Sequence, residues 1–188
     1  MALGSYWNKT GVLKSATKWK KVHKAQPLLI VSGSCSPVTA GQIANAKTNG
    51  FEEVIIDAIK ICNDAVVVES VMKKINDLLS QQKSVIVHTG EKQAQNLSSE
   101  KLGTALGTIA KDAVINTGVE RVVIAGGDTS SYAARAMEID AVEMIAPLVI
   151  GAPLCKAYSK NKKTNGLQVN FKGGQVGSEN YFEVMMNG

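Results

Sequence analysis

A chain of 188 residues suits one domain with a short extension, and 45% hydrophobic but only 5% aromatic residues favour packed helices and strands over an aromatic-rich binding platform. The net charge of +5 comes largely from two lysine groups, Lys9 to Lys24 and Lys156 to Lys163, with no aromatic interleaving or RNA-binding motif, so nucleic acid is not an expected partner. No apolar run approaches the roughly 20 residues that span a bilayer, and the first residues lack the basic-then-apolar layout of a secretory signal; the expectation is a soluble, cytoplasmic chain with no membrane partner.

In chain order, residues 10–25 place Val12, Leu13, Ala16, Trp19 and Val22 near one face of a predicted amphipathic helix, which Pro27 ends. Leu28 to Ser32 reads as a buried strand. Pro37 and Thr39 open a helix that runs to about Lys47 and stops at Asn49-Gly50. Glu53 to Asp57 is a second strand, and Asn63 to Gln81 carries Val67, Val71, Ile75, Leu78 and Leu79 at helical spacing. Val85 to His88 is a third strand, followed by a polar loop. A long helix is predicted over Ser98 to Thr117, ended by Gly118, and Arg121 to Ala125 is the fourth strand. A helix from about Ser130 to Met137 comes next. Beyond Asp140 the pattern changes to strands at Val142–Leu148, Leu154–Tyr158 and Leu167–Lys172, with a last helix or edge element at Tyr181–Met186.

Alternating strands and helices imply right-handed crossovers. The predicted class is three-layer α/β: a mainly parallel sheet with helices on both faces and antiparallel strands added near the C-terminus. Three cysteines without CxxC spacing, Cys35, Cys62 and Cys155, suggest neither a disulfide framework nor a zinc site and read as packing residues. With only His23 and His88, no histidine-rich metal cluster can be built.

Three strands run into glycine-bearing loops: Ser32-Gly-Ser-Cys-Ser-Pro, Gly126-Gly-Asp-Thr-Ser and Gly173-Gly-Gln-Val-Gly. In an open parallel sheet, ligands sit at the carboxyl ends of the strands, where helix N-termini favour an anion. Absent side chains at Gly33, Gly126 and Gly127 let a phosphate approach the backbone, and Ser34, Ser36, Thr129 and Ser130 offer hydroxyls. Asp128 has two readings, a contact to Mg²⁺ through water or a cap of the following helix. His88 and Lys172 have two each, a ligand contact or a residue of purely structural or surface role.

The combination V-S-G-S-C-S-P-V-T-A-G-Q-I at 31–43, I-A-G-G-D-T-S at 124–130, G-A-P-L at 151–154 and F-K-G-G-Q-V-G at 171–177 resembles the C-terminal nucleotide-binding domain of the four-carbon acid sugar kinases. The resemblance covers residues 27–188 and leaves 1–26 as a basic linker or interdomain remnant. It implies ATP and Mg²⁺ as cofactors and phosphorylation of threonate, erythronate or 3-oxo-tetronate. Carried over by motif, Ser34, Gly126, Gly127, Gly173 and Gly174 would surround the nucleotide, with Asp128 and Thr129 as candidates for Mg²⁺ or phosphate contact. No D-D-x-T-G motif of the sugar-binding domain occurs here. The sugar acid is therefore expected to reach the enzyme through a domain outside this chain, which alone would transfer little phosphate. No catalytic base is assigned, a homodimer is left open, and the alternative function is a non-catalytic nucleotide-binding module or a subunit of a split enzyme.

Overall fold

The computed structural model describes residues 2–12, 19, 21–90 and 97–188. Its elements are α1 (Ala2–Lys9), β1 (Leu29–Ser32), α2 (Pro37–Thr48), β2 (Glu52–Ile55), α3 (Ala58–Asn63), α4 (Ala65–Ser80), β3 (Val85–His88), α5 (Ser99–Thr117), β4 (Arg121–Ala125), α6 (Gly127–Ala136), β5 (Ala141–Val149), β6 (Ala152–Tyr158), β7 (Gln168–Lys172) and α7 (Tyr181–Asn187). The strands form one sheet in the order β2-β3-β1-β4-β7-β6-β5.

Three central strands, β1, β3 and β4, are mostly apolar because both of their faces are covered. β1 pairs in parallel with β3 through Leu29–Val85 and with β4 through Leu29–Val122. On one face, Leu29, Val31, Val87 and Val122 pack under Ile61 of α3, Ile75 and Leu79 of α4, Leu106 and Ile109 of α5, and Ala133 of α6. On the other, Leu28, Ile30, Ile86 and Val123 pack under Ile43 and Ala46 of α2 and Phe182 and Met185 of α7. The expected three layers are present.

The antiparallel strands expected near the C-terminus are present, and the position of β7 among them matters for the site. β5 and β6 are antiparallel, but β7 lies inside the sheet, antiparallel to β6 and parallel to β4. The chain enters from the sheet's edge, turns back twice, and so brings the end of β7 beside the ends of β1 and β4. Two differences concern helices. The helix predicted over 63–81 is α4, which opens only after Asp64, and a short unpredicted α3 precedes it. Asp57 and Asp64 each accept hydrogen bonds from two backbone N–H groups of the following turn, which makes them N-caps of α3 and α4.

The predicted helix over residues 10–25 is not present at its described residues. α1 ends where Thr10 Oγ1 donates to Tyr6 O and Gly11 takes a left-handed φ of 72°. Residues 21–25 are non-helical: Ala25 N donates to Met186 O, and Arg121 draws the carbonyl of His23 into its own contacts. Leu13 to Lys18 and Lys20 lie outside the described residues, as does the polar loop over 91–96. Arg121, 0% exposed, donates to Gln168 Oε1 at 2.7 Å, to the Met185 and Met186 carbonyls, and to His23 O at 2.9 Å. It pins both termini of the fold at the sheet end opposite the glycine loops.

α5 and α6 approach closely through Gly103 and Gly107, one turn apart on α5. A Cβ at Gly107 would lie 2.5 Å from Ala133 Cα, a backbone atom that cannot yield without moving α6. We expect Gly107→Ala to cost about 1–3 kcal/mol by over-packing this contact. Gly41→Ala, where a Cβ meets no atom on α2, should stabilise by about 0.5–1 kcal/mol instead. Urea denaturation of both variants checks the pair; a tolerated Gly107→Ala would mean that the interhelical contact is soft.

Candidate functional site

β1 and β4 are neighbours, yet the chain leaves β1 toward α2 on one face and leaves β4 toward α6 on the other. This is a topological switch point, where a crevice opens between diverging loops. A cleft of about 300 Å³ lies there. Its walls come from the β1 loop at Gly33 to Ser36, the β4 loop at Gly126 to Thr129 and the β7 loop at Gly174. Ala58 of α3, Thr89 beyond β3, and Leu97, Ser99 and Leu102 at the start of α5 close the side.

Of the residues singled out from the sequence, Ser34, Gly126, Gly127, Asp128, Thr129 and Gly174 all line this cleft, whereas Gly173 stands behind it and accepts a turn hydrogen bond from Val176 N. Thr129, 6% exposed, is a packing plug. Its Oγ1 lies where a Cβ on Gly33 would sit 2.5 Å away and one on Gly126 2.8 Å away. Gly126 also has φ 120° and ψ 130°, a conformation open to glycine and strained for other residues. Gly174 is close to the first loop: a Cβ there would meet Ser34 Oγ at 2.7 Å and Ser36 Cβ at 2.9 Å. Gly127 has open space around it.

No side chain caps α6, so the capping alternative for Asp128 is not used, and its exposed carboxylate makes no hydrogen bond or ion pair among the described residues. α2 also lacks a side-chain cap and begins with Pro37, while Ser36 Oγ is buried without a partner among the described residues. The first N–H groups of a helix have no intrahelical acceptor. Two helix starts therefore present unpaired donors and positive dipole ends to one cleft, an arrangement that suits an anion. Ser130 is turned away, its Oγ donating to Ile124 O at 3.3 Å.

The P-x-T-x-x-Q run that opens α2 has a mechanical role that sequence alone did not reveal. Thr39 Oγ1 donates to Gly174 O at 2.8 Å, and Gln42 Nε2 donates to the carbonyls of Val176 and Ser178 at 3.0 Å each. α2 thus grips the β7 loop. The lining residues on α3 and α5 were also missed; the signals for them were the caps at Asp57 and Ser98, which mark where those helices open.

A second cleft of about 130 Å³ adjoins the first across Ser34 to Ser36 and contains Lys47, Glu53 and His88. His88 is satisfied structurally: its Nδ1 accepts from Gly90 N at 3.0 Å, so its Nε2 donates to Glu53 Oε1 at 3.0 Å. Burial pushes the Glu53 carboxyl up, but hydrogen bonds from Lys47, 2.7 Å away, and from His88, together with the Lys47 charge, hold it below its ordinary value overall. Lys172 is buried under the β7 loop, which excludes the surface-lysine reading.

The family model described as the nucleotide-binding C-terminal domain matches residues 29–182. A 3-oxo-isoapionate kinase of Paraburkholderia graminis is 34% identical over 207 aligned residues, covering 100% of this chain and 44% of the relative. A D-threonate kinase of Salmonella typhimurium is 28% identical over 171 residues, 81% of this chain and 40% of the relative. The chain spans less than half the length of these relatives. Among solved structures, a Bordetella bronchiseptica protein with bound citrate, a domain-swapped dimer, superposes with TM-score 0.74 at 19% identity over 86% of this chain and 40% of that one. A Haemophilus influenzae protein gives 0.71 at 18% identity over 97% and 45%. These two share the fold.

We expect Gly126→Ala to destabilise the domain by about 1–3 kcal/mol, from its positive φ and the collision with Thr129. The drop in the urea midpoint measures it, and an unchanged midpoint would mean that the β4 loop has room to relax.

Proposed function

Because this chain belongs to the nucleotide-binding C-terminal domain family, we propose that its cleft holds the phosphates of ATP, with Mg²⁺, as the nucleotide side of a kinase acting on sugar acids. The main support is the convergence of the uncapped starts of α2 and α6 with the β7 loop at Gly174, around a cleft sized for a small ligand. Ser34, Gly126, Gly127 and Gly174 are read as the backbone cradle, with Gly173 shaping the turn behind it and Thr129 setting the spacing of the two central loops.

Among the described residues no three His, Cys, Asp or Glu side chains gather as a metal cage. Asp128 stands at the cleft wall, unpaired among the described residues. Mg²⁺ favours one or two carboxylates together with substrate phosphates and waters, so Asp128 fits as its protein contact. The ion, when bound, neutralises charge on the phosphates.

Phosphoryl transfer asks a protein chiefly for positioning and electrostatic stabilisation. The residues of this chain supply both to the donor: backbone N–H groups at two helix starts bind oxygens, and missing side chains admit the phosphates to the backbone. The acceptor is inferred from the names of relatives, which act on 3-oxo-isoapionate, 3-oxo-tetronate and D-threonate. Each name denotes a sugar acid, and we assign its pocket to the part of those proteins that this chain does not match.

Calorimetric titration with Mg·ATP, with Mg·GTP and a sugar acid as controls, tests the reading. Saturable ATP binding is expected, without sugar-acid binding. Gly174→Val should weaken it at least about tenfold, because its side chain would push the β7 loop off Ser34 and Ser36. Asp128→Asn should lower affinity in Mg²⁺ while leaving stability within about 0.5 kcal/mol, as an exposed unpaired residue allows. Equal ATP affinity in the wild type and both variants would sink the assignment of the site.

A further inference from the structure

Lys172, the last residue of β7, leads directly into the β7 loop and is hydrogen-bonded to the β4 loop and to the first turn of α2, although it is 1% exposed. Its backbone carbonyl accepts from Gly126 N at 2.9 Å, which ties it to the β4 loop. Its Nζ donates to Thr39 Oγ1 at 2.9 Å, in the first turn of α2 after the β1 loop. Thr39 Oγ1 in turn donates to Gly174 O at 2.8 Å, in the β7 loop. The ammonium also lies 5.3 Å from the centroid of the Tyr181 ring on α7.

An ammonium in such a place is costly unless something compensates its charge. No carboxylate pairs with it among the described residues; a hydroxyl and an aromatic face are its partners. A neutral side chain of equal length would fill the same space at lower cost. We propose that Lys172 is the positioning residue of the cleft: it locks the three loops in register, and its charge is completed by the polyphosphate that those loops hold. This rests on the nucleotide reading given above and adds to it a specific role, with Lys172 acting from behind the loops through Thr39 and the backbone.

A consequence in pH follows from the geometry. Burial pushes the Lys172 ammonium down from 10.5 to about 8. An anion bound nearby favours the charged form and so raises that value again. Nucleotide affinity should therefore be highest below about pH 8 and fall as pH rises through it, by up to about tenfold for each unit that binding raises the pKa. Folding stability moves the other way. Between about pH 8 and the ordinary value, the unfolded chain holds a proton that the folded chain has released, so stability increases with pH. The titratable group facing Lys172 is Tyr181, whose phenol burial pushes above its ordinary value and which donates to Asn170 Oδ1 at 2.7 Å; it stays neutral through this range.

The test is titration of the whole chain with Mg·ATP, and separately with inorganic tripolyphosphate, from about pH 7.5 to about pH 9.5, with thermal denaturation at each pH. The wild type should lose about fivefold to tenfold in affinity over that range while its melting temperature holds or rises. Lys172→Met should bind at least about tenfold more weakly at the lower pH and lack the Lys172-dependent part of the decline. Groups common to both proteins, such as the α-amino group, cancel in that comparison. Thr39→Val cuts the relay but keeps the charge, and should weaken binding while retaining the wild-type pH slope; Thr39→Ser should restore the affinity. Wild-type affinity that is flat across the range overturns the proposal even if Lys172→Met fails to fold. So does a folded Lys172→Met that binds as well as wild type. If the folded wild type binds neither ATP nor tripolyphosphate at millimolar concentration, the nucleotide reading falls as well.

Discussion

The fold depends at its functional end on how closely two backbones pass beside one threonine. β1 and β4 lie side by side, and their outgoing loops diverge to opposite faces. The Thr129 side chain sits at this point of divergence, against Gly33 and Gly126 at distances that leave no space for a Cβ on either. A larger residue in place of either glycine would have to separate the loops or displace α6. The same closeness recurs one layer out, where Gly107 lets α5 seat against Ala133 of α6. The start of α6 is thereby placed by contacts on two sides, and its free N–H groups face the cleft without any side chain to aim them.

A second set of contacts fixes the third loop. Bringing β7 in parallel beside β4 places its outgoing loop on the same sheet edge, but parallel pairing alone does not set the loop's path. Thr39 and Gln42 do so by taking its carbonyls as acceptors, and Lys172 supports Thr39 from below. Deeper in the same layer, Asn170 donates to the carbonyls of Ala152 and Pro153 and accepts from Tyr181. The layer containing α2 and α7 therefore mixes an apolar core with a chain of hydrogen-bonded polar groups, and such groups specify one geometry because misplacing any of them leaves a further buried partner unpaired. At the other end of the sheet Arg121 performs the corresponding task for the segment before β1 and the end of α7.

Much of this architecture was legible in the residues. The central strands β1, β3 and β4 were found from their apolar runs, because covering both sheet faces leaves no polar alternation to obscure them. The α5 helix was found with its end at Gly118, which adopts the left-handed conformation that glycine tolerates. The glycine loops were read as a ligand edge, and six of the seven residues chosen from them line one cleft. The helix expected over 10–25 shows the opposite case. Its periodicity was genuine, but Gly11 and the pull of Arg121 and the Met186 carbonyl give its described residues other conformations. Local pattern yields where tertiary hydrogen bonds offer the backbone a different set of partners.

What the sequence determined by itself was the local grammar: strand, glycine loop, helix, and the class of fold that this alternation builds. What only the tertiary structure decided was which loops meet and what holds them. Thr39 and Gly174 are 135 positions apart, and Lys172 lies 133 positions from Thr39. Nothing in the neighbourhood of either residue encodes the other. Their encounter depends on strand order, and strand order is set by the packing of whole layers rather than by any local preference.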